Sequence, residues 1–179
     1  MTTRLSRVDY RRWVEDQPKG RFERAGGVPV AMAPERSIHA RLKARIWRAF
    51  DRELRAGGLS CEALPDGMTV EIDDDTDYQP DALINCGERI PDTATVAPNP
   101  IVVVEVLSPS SASLDAGGKL ADYFRLPAVQ HYLLVRPLRR EIIHHRRAGT
   151  RIETQVIDGG VVELDPPGIS LSLDEVYRD

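Results

Sequence analysis

The chain has 179 residues, 41% of them apolar, and a formal net charge of -4. That fits one domain with its own core, residues 1–179, and argues against a sequence-independent nucleic-acid binder, which would be basic overall. The charged start "MTTRLSRVDYRRWVED" is no secretion signal and no apolar run approaches the ~18 residues of a membrane span, so the expectation is a cytoplasmic protein without membrane contact, in which Cys61 and Cys86 are two reduced thiols.

Ser6 to Asp16 reads as a short helix, and "GRFERAGGVPVAMAP" as a hairpin turning at Gly26-Gly27 and ended by Pro34. Ser37 is a good N-cap for a helix that runs to Ala56 and stops at Gly57-Gly58. Ile38, Leu42, Ile46, Phe50 and Leu54 give that helix a core face. Strands are expected near Leu59 to Leu64, Met68 to Ile72, Asp81 to Asn85 and Ile101 to Leu107, then a helix from Ser113 to Arg125 ended by Pro127. "QHYLLVRP", "REIIHHRR" and "RIETQVID" supply three more strands. The order predicts an α/β fold, a mixed sheet flanked by helices, with an N-terminal helix and hairpin in front.

Glu105 interrupts the apolar strand "PIVVVEVL", and an ionised carboxylate in a core costs several kcal/mol unless something pairs with it. Asp81 opens the apolar strand of "YQPDALI", and acids on neighbouring strands can converge on one hard cation such as Mg²⁺. The alternative is that Glu105 pairs with an arginine and Asp81 merely starts a strand. Asp115, Lys119 and Tyr123 are spaced by four and share one helix face. A lysine near a bound metal can orient an attacking water, help deprotonate it, or stabilise charge on a phosphate. Gly117 and Gly118 weaken that helix by about 1 kcal/mol each, a cost expected where a site needs close backbone approach. A surface lysine beside a weak helix start is the plainer reading.

"AGGKL" lacks the spacing of a phosphate-binding P-loop, and no G-x-S-x-G elbow recruits the serines of "SPSS". Glu23, in "RFERAGG", and His39, opening the long helix, could complete a site; a lone histidine is more often structural and a hairpin glutamate more often exposed. His144 and His145 have no metal-ligand spacing with the cysteines. Basic residues fall in two groups, a stripe from Arg41 to Arg55 and a cluster from Arg139 to Arg151, and either could grip phosphates. The hairpin cluster, with Arg146 and Arg147, is the favoured one, because it lies close in sequence to the Lys119 helix. The acidic run "EIDDDTDYQPD" would repel a DNA backbone unless metal ions or the fold turn it away.

Collected in order, "YRRWVE", "FERAGG", "MAPERSIH", "QPDALI", "VVVEVLSPSS", "DAGGKLADYF" and "VQHYLLVRP" make the chain resemble the Uma family of restriction-endonuclease-like proteins, long carried as a domain of unknown function. That family lies within the PD-(D/E)XK nuclease superfamily, and the resemblance runs from Val8 to Arg147. It implies a restriction-endonuclease-like core in which Asp81 and Glu105 bind Mg²⁺, with Mn²⁺ as a substitute. The superfamily lysine usually follows the glutamate by two positions, where this chain has Leu107. The resemblance answers that with a lysine moved to the next helix, Lys119, while Glu23 matches an acid from an early element and Tyr123 a family position. "HYLLVRP" departs from the family, which commonly shows Trp and Asp where Leu133 and Arg136 stand.

The expected function is therefore a Mg²⁺-dependent endonuclease acting on DNA phosphodiesters. Asp81, Glu105 and the Val106 carbonyl would hold the metal, Lys119 the water nucleophile, and Glu23 or His39 would complete the shell or carry a proton. The alternative is a catalytically inactive nuclease-fold module that binds nucleic acid or protein. A homodimer would suit the cutting of two strands. The carboxylates of Asp81 and Glu105 are expected a few ångström apart at the edge of the sheet.

Overall fold

Every residue from Pro100 to Val104 is buried, and the strand they begin forms the middle of the molecule. The computed structural model describes residues 3–108 and 115–178. In chain order the elements are α1 (Arg7–Glu15), β1 (Phe22–Ala25), β2 (Val28–Ala31), α2 (Ser37–Ala56), β3 (Cys61–Pro65), β4 (Val70–Asp73), β5 (Thr76–Tyr78), β6 (Ala82–Cys86), β7 (Pro100–Val106), α3 (Asp115–Tyr123), β8 (His131–Arg136), β9 (Glu141–Ala148), β10 (Arg151–Ile157), β11 (Val161–Leu164), β12 (Ile169–Ser172) and α4 (Leu173–Val176).

The main sheet has six strands in the order β10-β9-β8-β7-β6-β3. Its one parallel pair is β7 with β8, joined through α3, and the other neighbours are antiparallel. Side chains alternate along β7. Val102, Val104 and Val106 face a core built with α2, the β11–β12 hairpin and α4, while Val103 and Leu107 face a second core. That second layer holds α3 and a four-stranded sheet, β2-β1-β5-β4. Tyr123 of α3 is fully buried between Tyr78 and Tyr132.

Local chemistry explains most of these elements. Ser6 caps α1 by accepting from the Asp9 N–H, and Gly26 and Gly27 turn the β1–β2 hairpin at φ of 55° and 80°, where a side chain would be strained. Ser37 does not cap α2: Arg36 occupies the cap position, without a side-chain bond, and Ser37 is the first helical residue. The predicted start of α3 at Ser113, and Pro109 to Ser111 of "EVLSPSS", lie outside the described residues.

Cys61 and Cys86 are not free thiols. They stand directly opposite one another on β3 and β6 and form a disulfide across 25 residues of chain. Opposite residues of an antiparallel pair are close neighbours, which a sequence spacing does not reveal. Among the described residues no helix is long and apolar enough to cross a membrane.

A buried ion pair fastens the second layer. Arg24 of β1 is wholly buried and its Nε donates to Asp77 Oδ2 of β5 at 2.8 Å. Its other nitrogens donate to the carbonyls of Leu5 and Asp74, and Arg7 of α1 reaches the second oxygen of Asp77 at 2.9 Å. Part of the acidic run is paired within the fold, with Asp73 taken by Arg125 at 2.7 Å and Glu71 by Arg11 at 2.5 Å, while Asp74 and Asp75 stay exposed.

Candidate active site

The register of β6 on β7 brings Asp81 beside Glu105. Ala82 pairs with Val104, the Asp81 N–H donates to the Val104 carbonyl, and the Val106 N–H donates to Asp81 Oδ2 at 2.7 Å. The two acids line one cleft of about 630 Å³, together with Glu23, His39, Lys43, Val106 and Lys119. The cleft opens at the C-terminal end of β7, an inner strand, so the site is not at a sheet edge as the sequence suggested.

Glu105 leans into the α3 layer, its side chain 13% exposed toward the cleft. Lys119 Nζ donates to Glu105 Oε1 at 3.0 Å, and Tyr123 OH donates to the same oxygen at 2.9 Å. Lys119 also donates to Glu23 Oε1 at 3.0 Å, an oxygen that accepts the Gln79 N–H at 2.9 Å. The ammonium lies 5.0 Å from the centre of the Tyr78 ring, whose hydroxyl donates to Asp122 Oδ2 at 2.6 Å. Three elements distant in sequence, β1, β7 and α3, thus meet at one lysine.

Burial first, then the neighbouring charges of Asp81 and Glu23, push the Glu105 carboxyl up to about 7 against the opposing pull of Lys119. Burial acts against the Lys119 ammonium, but Glu105 and Glu23 outweigh it and hold its pKa above the usual lysine value. Asp81 is also raised, chiefly by burial, with the Val106 N–H and Lys43 acting the other way.

Leu107, where the superfamily lysine usually stands, is buried, and its carbonyl accepts from His39. With a carbonyl as partner, His39 Nε2 carries the hydrogen, at 3.1 Å, while Nδ1 is buried without a partner among the described residues. His39 therefore fastens the start of α2 to the end of β7. Gly117 and Gly118 are exposed, and among the described residues nothing outside their own stretch of helix lies within 4 Å of where a Cβ would stand on either, so no described packing contact requires them.

Lys43 was not singled out by sequence. It is one helical turn beyond His39 and so shares its face of α2, and that i, i+4 spacing was the available signal. Its Nζ lies 2.5 Å from Glu35, 2.7 Å from Asp66 and 3.4 Å from Asp81 Oδ1. Burial would lower its pKa, but the bonds to Asp66 and Glu35 prevail and raise it.

Among the described residues no three His, Cys, Asp or Glu side chains form a metal-binding group. What the cleft offers is two carboxylates beside the Val106 backbone, hard oxygen donors of the kind that Mg²⁺ uses while keeping several waters. Burial is the chief cause of the raised Glu105 carboxyl, with Asp81 and Glu23 adding to it, and a divalent cation beside these oxygens would favour the ionised form, so the residues fit such an ion.

The arginines sort differently from the sequence expectation. Arg147 donates to the carbonyls of Phe124, Leu126 and Val129 at 2.9 Å, and Arg146 pairs with Glu153 at 2.8 Å. Arg146 stands opposite His131, level with Val102, three residues or about 10 Å from the level of Glu105. On α2, Arg45 donates to the Val176 carbonyl, Arg52 pairs with Glu175 and Arg55 with Asp51. Arg147 and Arg45 thus tie distant backbone carbonyls, while the Arg146–Glu153 and Arg55–Asp51 pairs lie at the surface.

A sequence model of a family described as "Putative restriction endonuclease" matches residues 7–174. Among curated proteins, the uncharacterized Synechocystis protein slr1290 is 30% identical over 98% of this chain and 92% of its own length. A second Synechocystis protein, sll1609, also uncharacterized, is 28% identical over 76% of this chain and 78% of its own. The crystal structure of a protein from Anabaena variabilis, described as "a putative nuclease belonging to DUF820", superposes with a TM-score of 0.75 over 97% of both chains at 16% identity. At that identity the likeness establishes the fold.

Proposed function

Because the chain belongs to the Uma2 family, we propose that it is a nuclease, and more closely a Mg²⁺-dependent endonuclease that hydrolyses DNA phosphodiester bonds in the cleft at the end of β7. The observation that carries this reading is Lys119, held 3.0 Å from the carboxylates of both Glu23 and Glu105, in the cleft that Asp81 also lines.

Asp81, Glu105 and the Val106 carbonyl would hold the ion, which when bound supplies Lewis acidity and lowers the pKa of water. Lys119 orients the attacking water and places a positive charge beside the phosphate as negative charge builds there. Glu23 fixes the ammonium from the far side, and either Glu23 or His39 would carry a proton, His39 through Nδ1, since its Nε2–H is committed to a carbonyl. Tyr123 holds Glu105 in register with Lys119.

The test is a divalent-metal titration of the wild type and Asp81→Ala, read by cleavage of plasmid and of single-stranded DNA. Metal-dependent cleavage lost in the variant is the expected result. A folded wild type that cleaves neither substrate with Mg²⁺ or Mn²⁺ would favour the non-cutting binding module.

A further inference from the structure

A second cavity, of about 590 Å³, adjoins the cleft and shares His39, Leu107 and Ser108 with it. Its volume lies in the range of small-ligand sites. Leu134 and Ile143, opposite one another on β8 and β9, line it together with Leu107. Leu138 stands at its mouth and is 80% exposed, the most exposed large apolar side chain described. Arg36 and Arg139 also line it, exposed and without an ion pair among the described residues.

The pattern is an apolar slot with two uncommitted guanidinium groups at its rim, continuous with a cleft built for a phosphodiester. A nucleotide has the matching chemistry, an apolar ring with anions on either side. We propose that this cavity takes one unstacked nucleobase of the strand being cut, with Arg36 and Arg139 on the flanking phosphates. The inference rests on the nuclease reading and narrows its substrate to single-stranded or locally opened DNA. A base can enter such a slot only after leaving the stack, and it is held there by ring contact.

Binding is measured without added metal by anisotropy of a labelled single-stranded oligonucleotide, its duplex, and the same strand carrying an abasic site moved along it. The expected result is tighter binding of the single strand, and a loss of roughly 5- to 150-fold when the abasic site reaches the slot. Leu138→Ser should weaken the intact strand and erase the abasic effect. Arg36→Ala/Arg139→Ala should flatten the slope of log K against log salt by about 1.4 for a single strand.

Both variants alter exposed side chains, and unchanged thermal unfolding confirms that they fold. An unaltered salt slope, or no position at which the abasic site matters, overturns the inference, as does binding to neither DNA form. Cleavage is assayed on the same proteins. A wild type that cleaves while the arginine variant binds equally well keeps the nuclease reading and discards the slot. The expected binding losses in a wild type that never cleaves do the reverse.

Discussion

Replacing Lys119 by Met removes the ammonium that lies 3.0 Å from both Glu23 and Glu105 but keeps an unbranched stem to fill its place. Two buried carboxylates lose their partner, and breaking a buried pair in this way costs about 3–5 kcal/mol when the remaining charges stay ionised. Glu105 can escape by taking a proton. Burial, with Asp81 and Glu23 nearby, already pushes its carboxyl up to about 7, and Lys119 is the group pulling it down. Without Lys119 the value rises further, so the folded state keeps a proton that the unfolded chain releases near the ordinary 4.5. The stability tied to that proton is fully present below the unfolded value and is lost as pH rises through the folded one. Lys119→Met should therefore be mildly destabilised near pH 6, and the deficit should grow by on the order of 1 kcal/mol per pH unit above pH 7 until it reaches the full cost. Urea unfolding of wild type, Lys119→Met and Lys119→Met/Glu105→Gln across this range measures it, with the double variant recovering the alkaline loss. A deficit independent of pH, or no recovery in the double variant, would refute the pairing of Lys119 with Glu105.

Mg²⁺ should raise the Tm of the wild type, and more so above pH 7 where Glu105 is ionised; equal shifts in Asp81→Asn and Glu105→Gln would remove both acids from the metal. Burial, then the charges of His131 and Arg146, lowers His144 to about 4, so this histidine stabilises the fold above its ordinary 6.5 and that stability disappears as pH falls through 4. His144→Gln should flatten the acid limb of a stability–pH curve, and an imidazole NMR signal titrating near its ordinary value would contradict the assignment. Reducing the Cys61–Cys86 bond, which closes 25 residues, should lower stability by about 3.5 kcal/mol in the chain-entropy model; denaturant midpoints with and without dithiothreitol measure it.

What the sequence disclosed depended on the range over which its signals act. The α2 helix, the Gly26-Gly27 hairpin and the buried strand around Glu105 are written in local periodicity and turn chemistry, and they stand where expected. The motif order also brought Glu23, Asp81, Glu105 and Lys119 together as one set, and all four line the cleft. The disulfide escaped because it depends on how β3 pairs with β6, which neither cysteine's neighbours reveal. The arginines misled for a related reason. Density along the chain pointed to Arg146 and Arg147, but β9 runs antiparallel to β8 and carries them toward the end of the sheet away from Glu105. The β11–β12 hairpin was legible and missed: Val162, Leu164, Ile169 and Leu171 alternate with polar or exposed residues on either side of Pro166-Pro167-Gly168.

Glu23 and Arg24 are adjacent on β1 and point to opposite faces, one into the cleft and one into the buried pair with Asp77. A strand that slips by one residue exchanges its faces. A slip one way would bring the Arg24 guanidinium against Lys119 and leave Ala25 at Asp77. A slip the other way would drive the Glu23 carboxylate onto Asp77 and leave Phe22 at Lys119, so either direction makes a like-charge contact and breaks both pairs. The Arg24–Asp77 pair thus works as a key for strand alignment: it lies outside the cleft, yet it admits only the pairing that keeps the acid of β1 facing the lysine.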